Sequence, residues 1–173
     1  MAILVTGCAG YVGAIASKLL LEAGYEVIGI DNLSRAKQNN LVDGIEFYQA
    51  CISDEKILET IVAKHNIEAV LHFAAFIEVA ESVEKPGLYK ENNYIKTTVL
   101  VDKLIQLGIK NMIFSSTAAV YGLPIMDIAL KEDAELKPIN PYGENKLAVE
   151  RYLELKSKEE DFKYIALRYF NVA

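Results

Sequence analysis

The stretch Ile3-Leu4-Val5-Thr6-Gly7-Cys8-Ala9-Gly10-Tyr11-Val12-Gly13 decides the fold: a short apolar run breaks into three glycines spaced three apart, and a helical pattern begins there. Glycines at this spacing allow a tight turn, a close approach of backbone to phosphate, and close packing of the helix on the strand. The N–H groups at the start of that helix then point at the phosphates. Many unrelated chains carry such a triplet, so its meaning depends on the residues beyond it. Here the next apolar run ends in Asp31. An acid there accepts hydrogen bonds from an adenosine ribose and repels a 2′-phosphate, which favours NAD over NADP. The competing role for Asp31 is a cap for the loop after it.

Outward from that turn, apolar runs alternate with helical patterns. Ile3–Thr6, Val27–Ile30, Ile45–Tyr48, Ala69–His72, Met112–Ser115 and Tyr164–Leu167 read as buried strands. Tyr11–Ala23, Asp54–His65, Pro86–Leu107 and Pro141–Lys158 read as helices, with Gly24 and Gly108 after two of them and Pro86 and Pro141 opening others. Strand–helix alternation with right-handed crossovers predicts an α/β fold: a doubly wound, Rossmann-like parallel sheet of six or more strands, helices on both faces, in one domain over residues 1–173. Tyr121–Asn140 has no clear period and reads as a loop over the carboxyl end of the sheet, where open α/β sheets bind ligands.

Composition excludes several classes. With 173 residues, 52% hydrophobic and 24% charged, the chain reads as globular rather than disordered. A net charge of −6 disfavours nucleic acid and anionic membranes as partners. The first strand begins at once, with no leader ahead of it, and Lys18 and Glu22 interrupt the one long apolar stretch, so no membrane span is expected. Cys8 and Cys51 have no metal-ligand or paired spacing, which predicts no disulfide framework and no metal, and fits a cytoplasmic enzyme.

Tyr142 and Lys146 lie four apart in a helical segment, so both project from one face. A cation there favours the phenolate and lowers the tyrosine pKa toward that of a working base. The cluster Ser115-Ser116-Thr117 ends the fifth strand and would supply hydroxyls to the same place. His72 reads as a packed, hydrogen-bonded histidine, and His65, after a helix, as solvated.

Taken together, these motifs resemble the N-terminal part of the extended short-chain dehydrogenases/reductases, and within them the UDP-hexose 4-epimerases of bacterial type. The matching runs are Leu4–Gly13, Asp31-Asn32-Leu33-Ser34, His72-Phe73-Ala74-Ala75, Glu81-Ser82-Val83, Asn92-Asn93, Phe114–Gly122, Pro141-Tyr142-Gly143 with Lys146, and Leu167-Arg168-Tyr169-Phe170-Asn171. The resemblance implies NAD-dependent epimerisation at C4 of a UDP-hexose through a transient 4-keto sugar. It makes Tyr142 the base at the 4-hydroxyl, Lys146 the holder of the nicotinamide ribose, and Thr117 and Asn171 contacts of the substrate. It places Gly7, Gly10, Tyr11, Val12, Gly13, Asp31, Asn32, Cys51, Ile52, Phe73, Ala74, Ala75, Asn92, Ser115, Tyr142, Lys146 and Tyr169 at the cofactor. Related dehydratases carry an acidic pair after the threonine; this chain has Ala118-Ala119, which disfavours dehydration.

The chain also departs from that family. Cys8 and Ala14 replace a usual glycine and serine of the nucleotide turn, with Cys8 read as a small filler. Cys51 stands where the family has an aspartate for the adenine amino group, and a thiol is a poor acceptor. The family continues past the sixth strand into a smaller substrate region with no counterpart here. The resulting expectation is a chain inactive by itself, with strand six as a sheet edge and exposed apolar surface that favours a homodimer. Two other functions fit the same residues: a non-catalytic NAD-binding module, and an epimerase of another UDP-sugar.

Overall fold

A computed structural model describes residues 1–123 and 129–170. Six parallel strands form one sheet in the order β3-β2-β1-β4-β5-β6. They are β1 (Ala2–Thr6), β2 (Glu26–Asp31), β3 (Glu46–Gln49), β4 (Ile67–His72), β5 (Asn111–Thr117) and β6 (Lys163–Tyr169). All six expected strands are present, each extended or shifted by one to three residues. The helices are α1 (Tyr11–Glu22), α2 (Glu55–Lys64), α3 (Val79–Glu84), α4 (Pro86–Tyr89), α5 (Lys96–Gln106) and α6 (Pro141–Glu159).

The apolar periodicity sorts these helices to the two faces. Leu4, Ile28, Ile30, Val70, Met112 and Phe114 pack against Leu58 and Ile61 of α2, Leu100, Val101 and Leu104 of α5, and Val149 and Leu153 of α6. On the other face Ile3, Val5 and Val27 pack against Leu20 and Leu21 of α1. Strand β1 is buried along its whole length, as a central parallel strand covered on both sides must be. Connections run one way from β1 to β3 and the other way from β4 to β6, so β1 and β4 flank the switch point where a ligand crevice opens.

Caps fix where two of the helices begin. The Asp54 carboxylate accepts from the Lys56 and Ile57 N–H groups at α2, and Asn140 accepts from Gly143 N at 2.8 Å with Pro141 in the first helical position of α6.

Three features differ from the sequence expectation, one being α3, a helix that the sequence did not suggest. The single helix expected over Pro86–Leu107 is α4, a π-helical turn over Lys90–Ile95, and α5. Asn93, 2% exposed, turns inward there: its Oδ1 accepts from Phe76 N and its Nδ2 donates to Phe76 O, both at 2.8 Å. This docks the π turn onto the segment after β4. His65 is buried rather than solvated, because Glu26 Oε1 lies 2.6 Å from its Nδ1 at the amino end of the sheet.

Candidate active site

A cavity of about 910 Å³ opens over the carboxyl ends of the strands, the upper range for small-ligand sites. Its floor is the glycine turn. Gly7 has φ +70, and a Cβ there would lie 2.6 Å from Ala74 N; a Cβ at Gly13 would lie 2.1 Å from Gly7 O. Both are glycines because strand, turn and helix touch. The first helical bond of α1 runs from Ala14 N to Gly10 O, and no side chain caps the helix. Its first-turn N–H groups therefore face the cavity that Tyr11, Val12 and Gly13 line.

At one end stands Asp31. Its Oδ2 accepts from Ala9 N at 3.2 Å and its Oδ1 from Leu33 N at 2.8 Å, so it fixes the glycine turn and caps the following loop while lining the cavity. Asn32, Cys51 and Ile52 line this end too. The Cys51 thiol is engaged with Ser53 Oγ at 3.2 Å. Cys8 is fully buried against Gly29, and burial pushes its thiol up to about 12. It is an inert filler.

At the other end Ser115 and Thr117 of β5 meet Tyr142 of α6. The Tyr142 N–H donates to Ser82 Oγ at 3.3 Å, which ties α6 to α3. Burial raises the Tyr142 phenol above its usual range, opposed by the Thr117 hydroxyl beside it. The lowering expected from Lys146 is not seen. Lys146 is 3% exposed, and its ammonium donates to Ser115 O at 2.7 Å, 6.0 Å from the centre of the Tyr142 ring. Burial brings Lys146 itself down to about 7, with Glu150 one turn along pulling the other way. Lys146 thus stands behind the cavity wall.

Of the other expected site residues, Gly7, Gly10, Phe73, Ala74, Ala75, Asn92 and Tyr169 all line the cavity. Asn171 lies outside the described residues. His72 supports the wall from behind: Nδ1 pairs with Thr6 Oγ1 at 2.7 Å, Nε2 with Thr97 Oγ1 at 3.1 Å, and its ring stacks on Phe114. Burial lowers it to about 3, so it is neutral and does no proton transfer at ordinary pH.

The sequence reading missed Arg35 and Phe76 as cavity walls, and Glu150 and Arg168 as supports. Glu150 accepts from Ser116 Oγ and receives the Arg168 guanidinium, with Nη2 2.7 Å from Oε2. A YxxxK spacing with an acid four residues beyond it was the available signal for Glu150; for Arg35 there was no signal beyond its nearness to Asp31.

Among the described residues no three His, Cys, Asp or Glu side chains gather as a metal site. No described helix is long and apolar enough to cross a membrane.

Comparison with known proteins points the same way. A UDP-glucose 4-epimerase from Halalkalibacterium halodurans is 45% identical over the whole chain, which spans 51% of that relative. A crystal structure of the Brucella ovis UDP-glucose 4-epimerase in complex with NAD superposes with a TM-score of 0.94 at 39% identity, covering 98% of this chain and 52% of that one. The Thermotoga maritima UDP-glucose 4-epimerase, solved with UDP-glucose, gives 0.93 at 42% identity, over 98% and 55%. The chain thus spans about half the length of these relatives. A glycine turn, a strand-end acid and a tyrosine–lysine helix converging on one crevice are its own features, and since residues 3–173 match the profile of the NAD dependent epimerase/dehydratase family, the chain belongs to that family.

Proposed function

We propose that residues 1–173 are one NAD-binding domain carrying the acid–base residues of a UDP-hexose 4-epimerase, with UDP-galactose and UDP-glucose as the interconverted pair. The observation that carries this is a single cavity walled by Asp31, the open N-terminus of α1, and Tyr142 with Thr117. These fit a dinucleotide: a carboxylate for a ribose, unpaired backbone N–H groups for a pyrophosphate, and a hydroxyl pair where the reactive ring would end. Bound there, NAD supplies a reversible hydride acceptor for the sugar C4.

The chain's own residues handle the proton. Tyr142 takes it from the 4-hydroxyl at its phenolic oxygen and gives it back, while the Thr117 hydroxyl orients that oxygen. Burial disfavours the phenolate and the Thr117 hydroxyl opposes that rise, while Lys146 holds the carbonyl of the adjacent Ser115. Thr117 is followed by Ala118 and Ala119, which offer no acid for removing water from the sugar. The UDP-sugar relatives named above support this substrate class.

Two further parts of the reading are proposals. The cytoplasm is its place of work, consistent with the two free thiols. A homodimer is its assembly, with exposed Val83, Leu88, Ile95 and Leu155 as available apolar surface, and sedimentation velocity distinguishes one chain from two.

The reading is tested by assaying interconversion of UDP-galactose and UDP-glucose with the full-length protein bearing these residues. Activity is expected, and Tyr142→Phe should lower kcat roughly 10²- to 10⁴-fold while NAD stays bound. Unchanged turnover in that variant removes Tyr142 from the chemistry.

A further inference from the structure

Arg35 lies four residues past Asp31. A basic side chain near that acid is the usual device for accepting a 2′-phosphate in place of a ribose hydroxyl. In this fold its charge is directed elsewhere. Its Nη2 donates to Glu81 Oε2 at 2.6 Å, and its guanidinium lies 4.6 Å over the Phe76 ring.

The acceptor is built in advance. Glu81 also receives Lys85 Nζ at 3.1 Å and the Tyr89 hydroxyl at 3.0 Å. Tyr89 is fully buried and meets Phe76 edge-on at 5.6 Å between ring centres. Glu81, Tyr89 and Phe76 are thus fixed to one another on the side of α3 and α4. Arg35 arrives from the opposite side, on the loop after β2. The local bonds of that loop run back to Asp31 and Asn32: Leu33 N to Asp31 Oδ1 and Ser34 N to Asn32 Oδ1.

Both sides are walls of the same cavity, with Asp31, Asn32, Ser34 and Arg35 on one and Ala75, Phe76 and Ile77 on the other. A contact joining them resists widening of the space between. Arg35, ahead of Lys85, holds the Glu81 carboxyl down at about 2, so the pair stays ionised through the neutral range. The Arg35 side chain is 49% exposed, which leaves its ion pair open to screening by salt.

We propose that Arg35 is a retention residue: by bridging the loop after β2 to Phe76 and Glu81 it clasps two walls of the dinucleotide cavity and slows the release of NAD, and it does not read a 2′-phosphate. This rests on the cofactor reading above. An exposed ion pair and one cation–π contact together account for a modest effect, roughly 3- to 20-fold in the release rate.

The experiment loads the protein with NADH and follows the loss of its fluorescence on chasing with excess NAD, for the unsubstituted chain, Arg35→Ala, Arg35→Lys, Glu81→Gln and the Arg35→Ala/Glu81→Gln pair, with NADP affinity measured in parallel. Arg35→Ala and Glu81→Gln should release faster to a similar extent, the pair no faster than either, and Arg35→Lys should fall between. Added salt should speed release from the unsubstituted chain and, less strongly, from Arg35→Lys, but not from the variants that lack the ion pair, and NADP affinity should not change. Equal release rates across the set overturn the clasp alone, as does a loss of NADP affinity in Arg35→Ala with NAD release unaltered. Failure of the unsubstituted chain to bind NADH overturns the cofactor reading, and the clasp with it.

Discussion

Tyr142, Lys146 and His72 each sit in surroundings that penalise charge, and each is handled differently. His72 is simply kept neutral, held by two threonine hydroxyls and lowered to about 3. Its unfolded-state value is near 6.5. Between those values the unfolded chain binds the proton and the folded chain does not, so stability is full above about pH 6.5 and falls with acidification toward pH 3. By pH 4.5 this single group costs up to about 3 kcal/mol, at about 1.4 kcal/mol per unit. Urea unfolding at pH 7 and 4.5 checks it: His72→Gln, whatever its stability at pH 7, should lose less between the two. Lys146 has the same sign at higher pH, with stability rising from about pH 7 toward 10.5 as the unfolded chain gives up its extra proton. Asp31 and Tyr142 were legible in the sequence because their chemistry has a fixed place after a strand and on a helix. What Lys146 bonds to was not: a spacing of four places two side chains on one face and says nothing of the Ser115 carbonyl that takes the ammonium.

At the scale of elements, α6 is the part that must be placed correctly, because it carries Tyr142 toward Thr117 on β5. Two of its side chains grip consecutive residues of that strand: Lys146 binds Ser115 O, and Glu150 accepts from Ser116 Oγ. Arg168 of β6 completes the grip, with Nη2 on Glu150 and Nη1 donating to the Tyr121 hydroxyl at 2.9 Å and the Glu132 carbonyl at 2.8 Å. The Glu150 side chain is 7% exposed and that of Arg168 19%, so removing one partner strands a charge. Arg168→Leu should cost about 3 kcal/mol, and adding Glu150→Leu should restore part of it, since a buried pair replaced together by apolar groups is far better tolerated than either half alone. Chemical denaturation of the two single variants and the double variant decides this; additive losses would show that the pair is not coupled. The helices α1, α2 and α6 were readable from period and caps. The π turn was not, because an unbroken apolar period over Pro86–Leu107 is the same whether or not one turn is widened to bring Asn93 onto Phe76. Helix α3, six residues long, is too short to show a period.

On the scale of the whole molecule, strand alternation was enough to give the sheet and its switch point, since parallel strands buried on both faces are written as continuous apolar runs. Strand six was expected as a sheet edge with exposed apolar surface, and β6 is an edge strand; the sequence did not show that α1 also presents apolar side chains outward. Among the described residues Ile165 and Leu167 of β6 are 57% and 37% exposed, and Ile15 and Leu19 of α1 are 46% and 58% exposed. The cavity, by contrast, is assembled mostly from loops, strand ends and helix ends at the carboxyl end of the sheet, which is why residues distant in sequence, Asp31 and Tyr142, reach it together. In the proposed epimerisation the hydrogen of the sugar carbon is lent and reclaimed within this cavity, and Tyr142 moves only the hydroxyl proton. The direct measurement is to run the interconversion of UDP-galactose and UDP-glucose in deuterated water with the full-length protein and to examine C4 of the product by NMR. Hydrogen retained at C4, with no solvent deuterium, is the expected outcome. Deuterium at C4, or no inversion at all, would contradict it.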